Sequence, residues 1–343
     1  MSDANVLPAL LRDLAGEHAP APARLQEALE AVLDGEGDGV QLGALLMGLR
    51  LAQVDAALLV AGANALRSRM RAINLGSDLV DVCGAGGDGA GLLNISTAVS
   101  FVLAGCGVRV AKHGNRAMTS RSGAADVLEA LGVVLVDEPA ALSRLMEATN
   151  LCFLFAQSHH PGLARLAAPR RALGFRTLFN LLGPLANPAG ATRQLLGVFD
   201  AGLLEAVAAA LAALECEHAW VVCGAGGLDE LSLAGPSEVM AIGNGKLRRF
   251  QVRAEDAGLA PAPLEALQGG SPAQNAEALR AVLQGEPMAY RDAVLLNTAA
   301  ALIVAGRTET LREGAAMAAE AIASGAAERV LARTIALSTA GQP

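Results

Sequence analysis

The sequence of 343 residues is poor in aromatic side chains, which make up 3% of it and include one Trp and one Tyr. Apolar residues nevertheless account for 53%, so the interior must be built mainly from Ala, Leu and Val. Small side chains of this kind allow helices to pack closely. At about 150 residues per domain, the length predicts one large domain or two.

Long apolar runs and basic clusters are also absent. The longest apolar candidate, around 206–214, lies between Glu205 and Glu215 and is far shorter than the ~20 residues that a membrane-spanning helix needs. The formal net charge is −8 and there is no polybasic tract. We therefore expect neither a nucleic acid nor a membrane as a partner, and any anion site must be local.

Cysteines are few and show no metal or redox spacing. There are five, an odd number without a CxxC pair, and they lie in apolar segments, so we expect buried free thiols. Charged residues such as Arg12, Asp13 and Glu17 interrupt the first thirty positions and exclude a signal-peptide core. We therefore expect a cytoplasmic protein. The cysteines are Cys83, Cys106, Cys152, Cys216 and Cys223.

Two kinds of pattern divide the chain. Residues 1–72 show helical periodicity without strand patterns. From Asp78 onward short apolar strands alternate with helices, which is typical of an α/β domain with a mostly parallel central sheet. The sequence therefore predicts a small N-terminal helical subdomain over 1–72, with a helical return around 165–190 packing on it, and a large α/β domain over 73–343.

A glycine-rich turn follows the predicted strand 79–83. Residues 84–91 read GAGGDGAG, with five glycines in eight positions, so the backbone can come close to a ligand. The segment 94–97, NIST, then offers N-cap chemistry to an apolar helix over 98–104, whose free N–H groups and dipole favour an anion. The sequence contains neither GxxxxGK[ST] nor GxGxxG with a suitably placed acid, which disfavours P-loop and nicotinamide-binding sites. A phosphate ester carrying a divalent metal suits this turn.

A second predicted strand, 108–111, carries the sequence KHGN at its carboxyl end, where ligands of open α/β sheets bind. Residues 119–124 then lead into a predicted helix over 126–131, and we expect this second helix start to hold the other side of a pyrophosphate. Lys112 would supply a cation there. We expect His113 to be structural, because no acid is paired with it in the sequence.

The sequence VCGAGGD at 82–88 is echoed by VCGAGGLD at 222–229. In a chain this rich in Ala and Gly the echo can arise by chance. If both strands lie in one sheet, however, Asp88 and the pair Asp229 and Glu230 open onto the same edge. Adjacent carboxylates are common in solvated turns, but hard oxygen ligands at a strand end also suit Mg²⁺. We interpret the pair as a candidate metal site.

Arg170 lies in a segment that reads as helical. A charged helix face is one explanation, and the other is a guanidinium that grips a planar carboxylate with two parallel hydrogen bonds. The loop 182–188 that follows is rich in turn residues and either lines a pocket or merely reverses the chain. We favour a pocket.

Several of these segments, in this order, resemble the anthranilate phosphoribosyltransferase family over roughly residues 40–305. The resemblance implies a nucleoside phosphorylase/phosphoribosyltransferase-like fold and a homodimer formed through the helical subdomain. It also implies Mg²⁺-dependent transfer of the phosphoribosyl group of phosphoribosyl pyrophosphate (PRPP) to the amine of anthranilate, in tryptophan biosynthesis. The segments are GAGGDGAGLLNIST (84–97), KHGNRAMTSRSGAADVLEALG (112–132), His160-Pro161, RRALGFRTLFNLLGPLANP (170–188) and GLDE (227–230).

The resemblance also implies roles for individual residues. No obligate catalytic side chain is implied, and Lys112 and Arg170 act electrostatically. Ser96, Asp229 and Glu230 are implied as Mg²⁺ ligands. Gly84, Asn115, Arg170, Gly183 and Pro184 are implied to bind anthranilate. The residues implied to bind PRPP are Gly84, Gly87, Asp88, Leu92, Asn94, Ile95, Ser96, Thr97, Lys112, His113, Gly114, Asn115, Arg116, Ser120 and Ala124.

The sequence departs from the family pattern at the edge of this site. Ala85 and Leu92 stand where threonines are more common, so two hydroxyls that could contact substrate are missing, and we expect weaker substrate binding. Ala117, Gln157, Ala186 and Cys223 are further departures.

Two other functions fit parts of the pattern. A pyrimidine nucleoside phosphorylase would share the architecture and a Lys-His-Gly strand end, but Arg170 and the NIST segment argue against it. A non-enzymatic relative that binds nucleic acid would carry a basic stripe and would lack the acid pair. This sequence has no basic stripe and it retains the acid pair.

Overall fold

The computed structural model describes residues 6–16, 20–86, 91–117, 121–243 and 245–340. The centre of this described part is a sheet of seven strands. The strands are β1 (Val80–Gly84), β2 (Val110–Gly114), β3 (Leu151–Phe155), β4 (Arg193–Gly197), β5 (His218–Cys223), β6 (Ser237–Gly243) and β7 (Lys246–Val252).

The strand order in the sheet is β3-β2-β1-β4-β5-β6-β7. The first five are parallel, and β6 and β7 add an antiparallel edge. Residues Val80 to Gly84 of β1 align in register with Arg193 to Gly197 of β4, so the two strands end at the same level. The predicted α/β fold with a mostly parallel sheet is confirmed. Because β1 and β5 share this sheet, the two GAGG turns emerge from the same edge.

In the described chain four helices precede the sheet: α1 (Val6–Ala15), α2 (Pro22–Asp34), α3 (Gly39–Leu51) and α4 (Ala56–Arg69). Asp38 is the N-cap of α3. Its carboxylate accepts a hydrogen bond from the backbone N–H of Gln41 at 2.9 Å, which satisfies one of the free donors at the helix start.

Further helices lie within or after the α/β region. They are α5 (Ile95–Gly105), α6 (Ala124–Ala130), α7 (Pro139–Thr149), α8 (Ala156–His159), α9 (Ala164–Leu173), α10 (Phe179–Leu182), α11 (Leu204–Ala213), α12 (Pro272–Leu283), α13 (Ala289–Val304), α14 (Leu311–Ala323) and α15 (Ala326–Thr339). None of the helices in the described ranges has both the length and the apolar character needed to cross a bilayer.

Both faces of the parallel part of the sheet are buried, whereas the edge strand β7 is mostly exposed. On β5, Trp220 and Val222 point into a core formed with α5 and α12 to α15. Ala219 and Val221 point the other way, into a second core. This second core includes residues of α1 to α4, of α11 and of the 165–190 region, for example Leu182. Alternate residues of one strand thus serve two cores, as expected for a parallel sheet covered on both sides. The boundary between the two domains stays a prediction.

Some predicted boundaries and exposures are wrong. The second strand is Val110–Gly114, because the side chains of Lys112 and His113 find buried partners and extend the strand beyond 111. Helix α5 begins at Ile95, three residues before the predicted start. All five cysteines are free, but Cys106 and Cys216 are only half-buried, because each lies just after a helix, near the surface.

Candidate active site

A cleft of about 310 Å³ opens at the carboxyl ends of the parallel strands. Its walls come from the turn after β1, the start of α5, the end of β2, the loop 121–124, the segment 228–230 and the helices α9 and α10. The first four follow one another along the chain, whereas the segment 228–230 and the helices α9 and α10 come from distant positions. The sheet topology therefore assembles the cleft.

The acid pair reaches the glycine turn directly. The Asp229 carboxylate accepts a hydrogen bond from the Gly86 N–H at 2.7 Å, and Glu230 accepts one from the Ser96 N–H at the start of α5 at 3.1 Å. Glu230 is buried, with 8% of its surface exposed. The two carboxylates thus join the turn, the helix start and the end of β5 at one place.

The close approach of the acid pair to the glycine turn depends on Gly197, the last residue of β4. A Cβ atom at Gly197 would lie 1.6 Å from the Asp229 carbonyl oxygen, so no other residue fits while Asp229 keeps its position. Gly197 was not predicted from the sequence, because a single glycine at a strand end is a weak signal in a chain with 38 glycines.

Lys112 is one of two lysines in the sequence and is buried, with 2% of its surface exposed. Its ammonium donates to the Val82 carbonyl at 2.6 Å and to the Ser96 hydroxyl at 3.1 Å. These contacts hold a cation between the end of β1 and the start of α5. A bound anion would meet that charge in a site of low dielectric, where it is least screened.

A buried carboxylate, Asp81, supports the floor of the cleft. It accepts hydrogen bonds from the His113 N–H at 3.1 Å and from the Asn187 amide at 2.8 Å. Burial raises the pKa of Asp81, and the positive charge of Lys112 opposes that rise. Asp81 therefore connects β1 and β2 to the loop that ends at Asn187. Asp81 was not predicted as a site residue, because one acid inside an apolar strand matches no motif.

His113 contacts the same loop from the cleft side. Its Nδ1 lies 3.1 Å from the Gly183 carbonyl oxygen, and its ring centroid lies 5.1 Å from that of His160. Burial, with a smaller contribution from His160, lowers the pKa of His113 to about 3. The imidazole is therefore neutral near pH 7, and Nδ1 must carry the hydrogen that it donates to Gly183.

Arg170 approaches the cleft from α9. Its guanidinium donates to the Asn180 side-chain oxygen at 3.4 Å and lies 5.8 Å from the centre of the Phe179 ring. The Asn180 amide in turn donates to the Ala85 carbonyl at 3.4 Å, which links this wall to the glycine turn. Burial lowers the pKa of Arg170, although a guanidinium stays protonated in proteins. The side chain thus offers a positive charge beside an aromatic face.

The predicted pyrophosphate contact at the start of the next helix stays a prediction, because residues 118–120 lie outside the described residues. Helix α6 begins at Ala124, and the Asp126 carboxylate accepts hydrogen bonds from the Gly123 and Ala117 N–H groups at 2.9 and 3.0 Å. The chain thus uses its own anion at that helix start. Arg116, which lines the cleft, pairs with Asp126 at 3.2 Å and also with Glu129.

Asn94 also differs from expectation, because its side chain makes no capping bond to α5. Its Oδ1 instead accepts a hydrogen bond from Asn275 at 2.8 Å, and its carbonyl accepts one from the Tyr290 hydroxyl at 3.0 Å. In the same C-terminal region, Asn297 bonds both the N–H and the carbonyl of Leu231, next to the acid pair. Asn275, Tyr290 and Asn297 were not predicted from the sequence, since their segments show only helical periodicity.

The structure brings most of the predicted site residues to this cleft. Thr97 is wholly buried there, and its hydroxyl has no hydrogen-bond partner within the described part of the chain. Such an orphaned polar atom in a cleft points to a ligand. Gly87, Asp88 and Ser120 lie outside the described residues. The predicted residues that line the cleft are Gly84, Leu92, Asn94, Ile95, Ser96, Thr97, Lys112, His113, Gly114, Asn115, Arg116, Ala124, Arg170, Gly183, Pro184, Asp229 and Glu230.

The donor set at the acid pair fits Mg²⁺. Two carboxylates and the Ser96 hydroxyl converge on one side of the cleft. Within the described ranges, no cluster of three or more His, Cys, Asp or Glu side chains could hold a metal by itself. Two carboxylates that leave positions open for substrate phosphates are the usual arrangement for Mg²⁺, which rarely occupies an all-protein cage.

Comparison with known proteins agrees with this geometry. Residues 76–328 match the model of the glycosyl transferase family, a/b domain. The chain is 49% identical to the anthranilate phosphoribosyltransferase of Parvibaculum lavamentivorans, over 95% of this chain and 96% of that protein. It superimposes on the Thermus thermophilus enzyme of that name with a TM-score of 0.90 and 41% identity, covering 96% and 99% of the two chains.

The yeast enzyme is also similar. Anthranilate phosphoribosyltransferase from Saccharomyces cerevisiae in complex with PRPP and Mg matches with a TM-score of 0.90 and 27% identity, covering 98% of each chain. In complex with 4-fluoroanthranilate it matches with a TM-score of 0.86 and 27% identity, covering 98% of this chain and 99% of the yeast chain. The resemblance noted in the sequence is therefore confirmed, and the chain belongs to the anthranilate phosphoribosyltransferase family.

Proposed function

We propose that this chain transfers the phosphoribosyl group of PRPP to the amine of anthranilate, giving N-(5-phosphoribosyl)anthranilate and pyrophosphate, in tryptophan biosynthesis. The observation that carries the proposal is the meeting of four features in one cleft: the glycine turn, the start of α5, Lys112 and the acid pair. Family membership supports the same activity.

PRPP binds with its charged groups against the turn and the start of α5. The described part of the turn, Gly84 to Gly86, offers backbone that can approach an anion closely. The first residues of α5 add a helix start with its positive dipole end, and Thr97 adds a hydroxyl. Lys112 supplies the full positive charge. Gly87, Asp88 and Ser120 belong to this proposed set by the family resemblance.

Ser96, Asp229 and Glu230 would hold Mg²⁺. When bound, this ion neutralises negative charge on the pyrophosphate as it leaves. Hydrogen bonds orient these residues, because Glu230 accepts the Ser96 N–H and Lys112 donates to the Ser96 hydroxyl.

Anthranilate occupies the side of the cleft that faces Arg170. The guanidinium pairs with the carboxylate of anthranilate, and the Phe179 ring below it gives that wall an apolar surface. Asn115, Gly183, Pro184 and Gly84 line the remaining space. The neutral His113 holds the Gly183 carbonyl and so fixes the loop against which the aromatic ring lies.

In the transfer step the bond between C1 of the ribose and the pyrophosphate oxygen breaks, and the amine nitrogen forms a new bond to C1. Negative charge grows on pyrophosphate, where the positive charge of Lys112 and the dipole at the start of α5 stabilise it. The aryl amine is already neutral at pH 7, so holding it opposite the leaving group replaces strong base catalysis. The amine then loses a proton to solvent or to pyrophosphate.

Two departures from the family pattern bear on substrate affinity. Ala85 is buried, and its backbone bonds both Gly197 and Asn180, so the turn keeps its anchors without a hydroxyl at this position. Leu92 forms an isolated antiparallel β-bridge with Gln268, and its side chain packs against the core that includes α5. We expect these changes to weaken PRPP binding without removing activity.

We also propose a homodimer formed through the N-terminal helices and a cytoplasmic location. Exposed apolar side chains on α3 support the homodimer. Five free thiols support the cytoplasmic location, because free cysteines persist in reducing compartments.

A fluorescence assay with anthranilate tests the proposed activity. Purified protein is incubated with anthranilate, PRPP and Mg²⁺, and formation of phosphoribosylanthranilate is followed as loss of anthranilate fluorescence. We expect turnover that requires all three components. Absence of product together with phosphorolysis of thymidine, or with salt-dependent DNA binding, would show that the assigned reaction is wrong.

A further inference from the structure

The side chain of Asn275, near the start of α12, lies in a chain of hydrogen bonds whose directions can be assigned. Its Oδ1 accepts the Gly270 N–H at 2.8 Å, and its Nδ2 donates to the Asn94 Oδ1 at 2.8 Å. A backbone N–H can only donate, so the oxygen of Asn275 must face Gly270. Its amino group must then face Asn94, and Asn94 must turn its own oxygen toward Asn275.

This arrangement determines what Asn94 can offer to a ligand. The Asn94 Oδ1 also accepts a hydrogen bond from the Ser122 hydroxyl at 3.4 Å, so both of its acceptor positions are used. The Asn94 Nδ2 donates to the Ser122 carbonyl at 3.3 Å, and this contact uses one of its two hydrogens. The polar capacity left on this half-buried, cleft-lining side chain is therefore an N–H donor.

Two C-terminal helices fix Asn94 in place. Asn275 is 1% exposed and holds the side chain, while Tyr290 of α13, also 1% exposed, donates to the Asn94 carbonyl at 3.0 Å. Neither residue needs to touch the substrate. Together they place residue 94 between the start of α5 and the loop at Ser122.

We propose that Asn275 is a positioning residue that fixes the Asn94 amide so that its N–H group, and not its oxygen, faces a phosphate of PRPP. This inference rests on the proposed function, which makes the ligand an anion. The simpler alternative is that Asn275 only ties the loop at Gly270 to α12. The two explanations differ in what happens when the direction of the hydrogen bonds is reversed.

Asn275→Asp reverses the direction at almost constant shape. One carboxylate oxygen still accepts the Gly270 N–H, and the other forces Asn94 to rotate and donate its amino group. The Asn94 oxygen then faces the phosphate. We expect the Kd of PRPP with Mg²⁺, measured by calorimetry, to rise by about tenfold or more, which corresponds to the loss of one charge-assisted hydrogen bond. The KM for anthranilate should stay close to that of the unsubstituted protein.

A double-mutant cycle separates this effect from that of the added charge. In an Asn94→Ala background, Asn275→Asp should not weaken PRPP binding further, because the amide that it rotates is gone. Gln274→Glu, which adds the same charge one residue away on the exposed side, should leave the Kd unchanged. Asn275→Ala, which leaves Asn94 free to rotate either way, should weaken binding less than Asn275→Asp does. If Asn275→Asp does not fold, the cycle is run with Asn275→Ala.

The inference is overturned if Asn275→Asp binds PRPP like the unsubstituted protein, if its effect persists in full in the Asn94→Ala background, or if it affects both substrates equally. Unsubstituted protein is measured in parallel. If that protein neither binds PRPP nor forms product, the proposed function fails, and this outcome is distinct from a failure of the role of Asn275.

Discussion

Arg170 and Arg171 are adjacent in α9 but lie in different surroundings. Arg170 is half-buried beside Phe179 and bonded to Asn180, whereas Arg171 is exposed. Arg170→Ala should raise the KM for anthranilate by about 10- to 100-fold, the loss expected for hydrogen bonds to a charged carboxylate, with little change in the KM for PRPP. Steady-state kinetics with each substrate varied in turn measure both constants.

Arg171→Ala is the matched control and should behave like the unsubstituted protein. Glu230→Ala is the reciprocal variant, and we expect it to raise the KM for PRPP and the Mg²⁺ concentration needed for half-maximal rate, with less effect on anthranilate. If Arg170→Ala and Glu230→Ala change both substrate constants by similar factors, the cleft is not divided between the two substrates as proposed.

His113 and His160 make the folded protein sensitive to acid. Burial lowers the pKa of His113 to about 3 and that of His160 to about 4, whereas an unfolded histidine titrates near 6.5. The unfolded chain therefore binds protons first. The stability from each neutral imidazole is fully present above about pH 6.5 and is lost as the pH falls toward the folded pKa, by about 2 kcal/mol per histidine at pH 5.

His113→Asn should reduce this sensitivity, because an amide can donate to the Gly183 carbonyl but does not titrate. Urea denaturation at pH 7.5 and pH 5 gives the free energy of unfolding of both proteins. We expect the variant to lose about 2 kcal/mol less than the unsubstituted protein between these pH values. An equal loss in both proteins would mean that the folded pKa of His113 is not lowered.

At the scale of elements, the parts of the site that neighbouring residues form were predicted from the sequence. The parts that depend on contacts between residues far apart in the chain were not. The glycine density after β1 and the acids after β5 are local signals, and the sheet places both at one edge. Asn275, Tyr290 and Asn297 come from helices whose periodicity reveals only that they are buried. Their side chains act on Asn94 and Leu231 more than sixty residues away, and no single-sequence pattern encodes such a pairing.

The start of α6 shows a local acid beside a predicted anion site. The hydroxyl- and amide-rich segment before it is typical of an anion site, and Asp126 in its first turn accepts hydrogen bonds from two N–H groups there. An acid at the third position of a helix is a common capping residue. The pyrophosphate contact predicted for this segment includes Ser120, which lies outside the described residues, and stays a prediction.

The end of β4 packs closely against the segment that carries the acid pair. Gly197→Ala would place a Cβ 1.6 Å from the Asp229 carbonyl oxygen, so the acid segment must move. We expect a stability loss of about 1–3 kcal/mol, as for other overpacked sites, together with a higher Mg²⁺ requirement for activity. Urea denaturation measures the former and Mg²⁺ titration of the rate the latter.

Gly39→Ala is the comparison variant, since a Cβ at Gly39 meets nothing within 4 Å and that residue does not have positive φ. It should keep both the stability and the Mg²⁺ dependence of the unsubstituted protein. If Gly197→Ala lowers stability but leaves the Mg²⁺ dependence unchanged, the close contact with Asp229 does not position the metal ligands.

For the whole molecule, the distribution of exposed apolar side chains supports the proposed dimer through α3. Four large ones are exposed in the described residues, and three of them lie on α3: Val40, Met47 and Leu51, which are 81%, 43% and 74% exposed. Their spacing of seven and four residues puts them along one helix face. The fourth, Leu247, lies on the edge strand β7, at the opposite end of the sheet order from β3.

We therefore expect Met47→Glu combined with Leu51→Glu to halve the mass in sedimentation velocity, because charges on that face would have to be buried in a dimer. Leu247→Glu removes the same kind of side chain elsewhere and should leave the mass unchanged. The cleft residues described above all come from one chain, so the monomeric variant should retain turnover. If the double variant still sediments as a dimer, the interface does not lie on α3. If the variant dissociates and loses turnover, the second copy is needed to hold the helical wall that carries Arg170 in position.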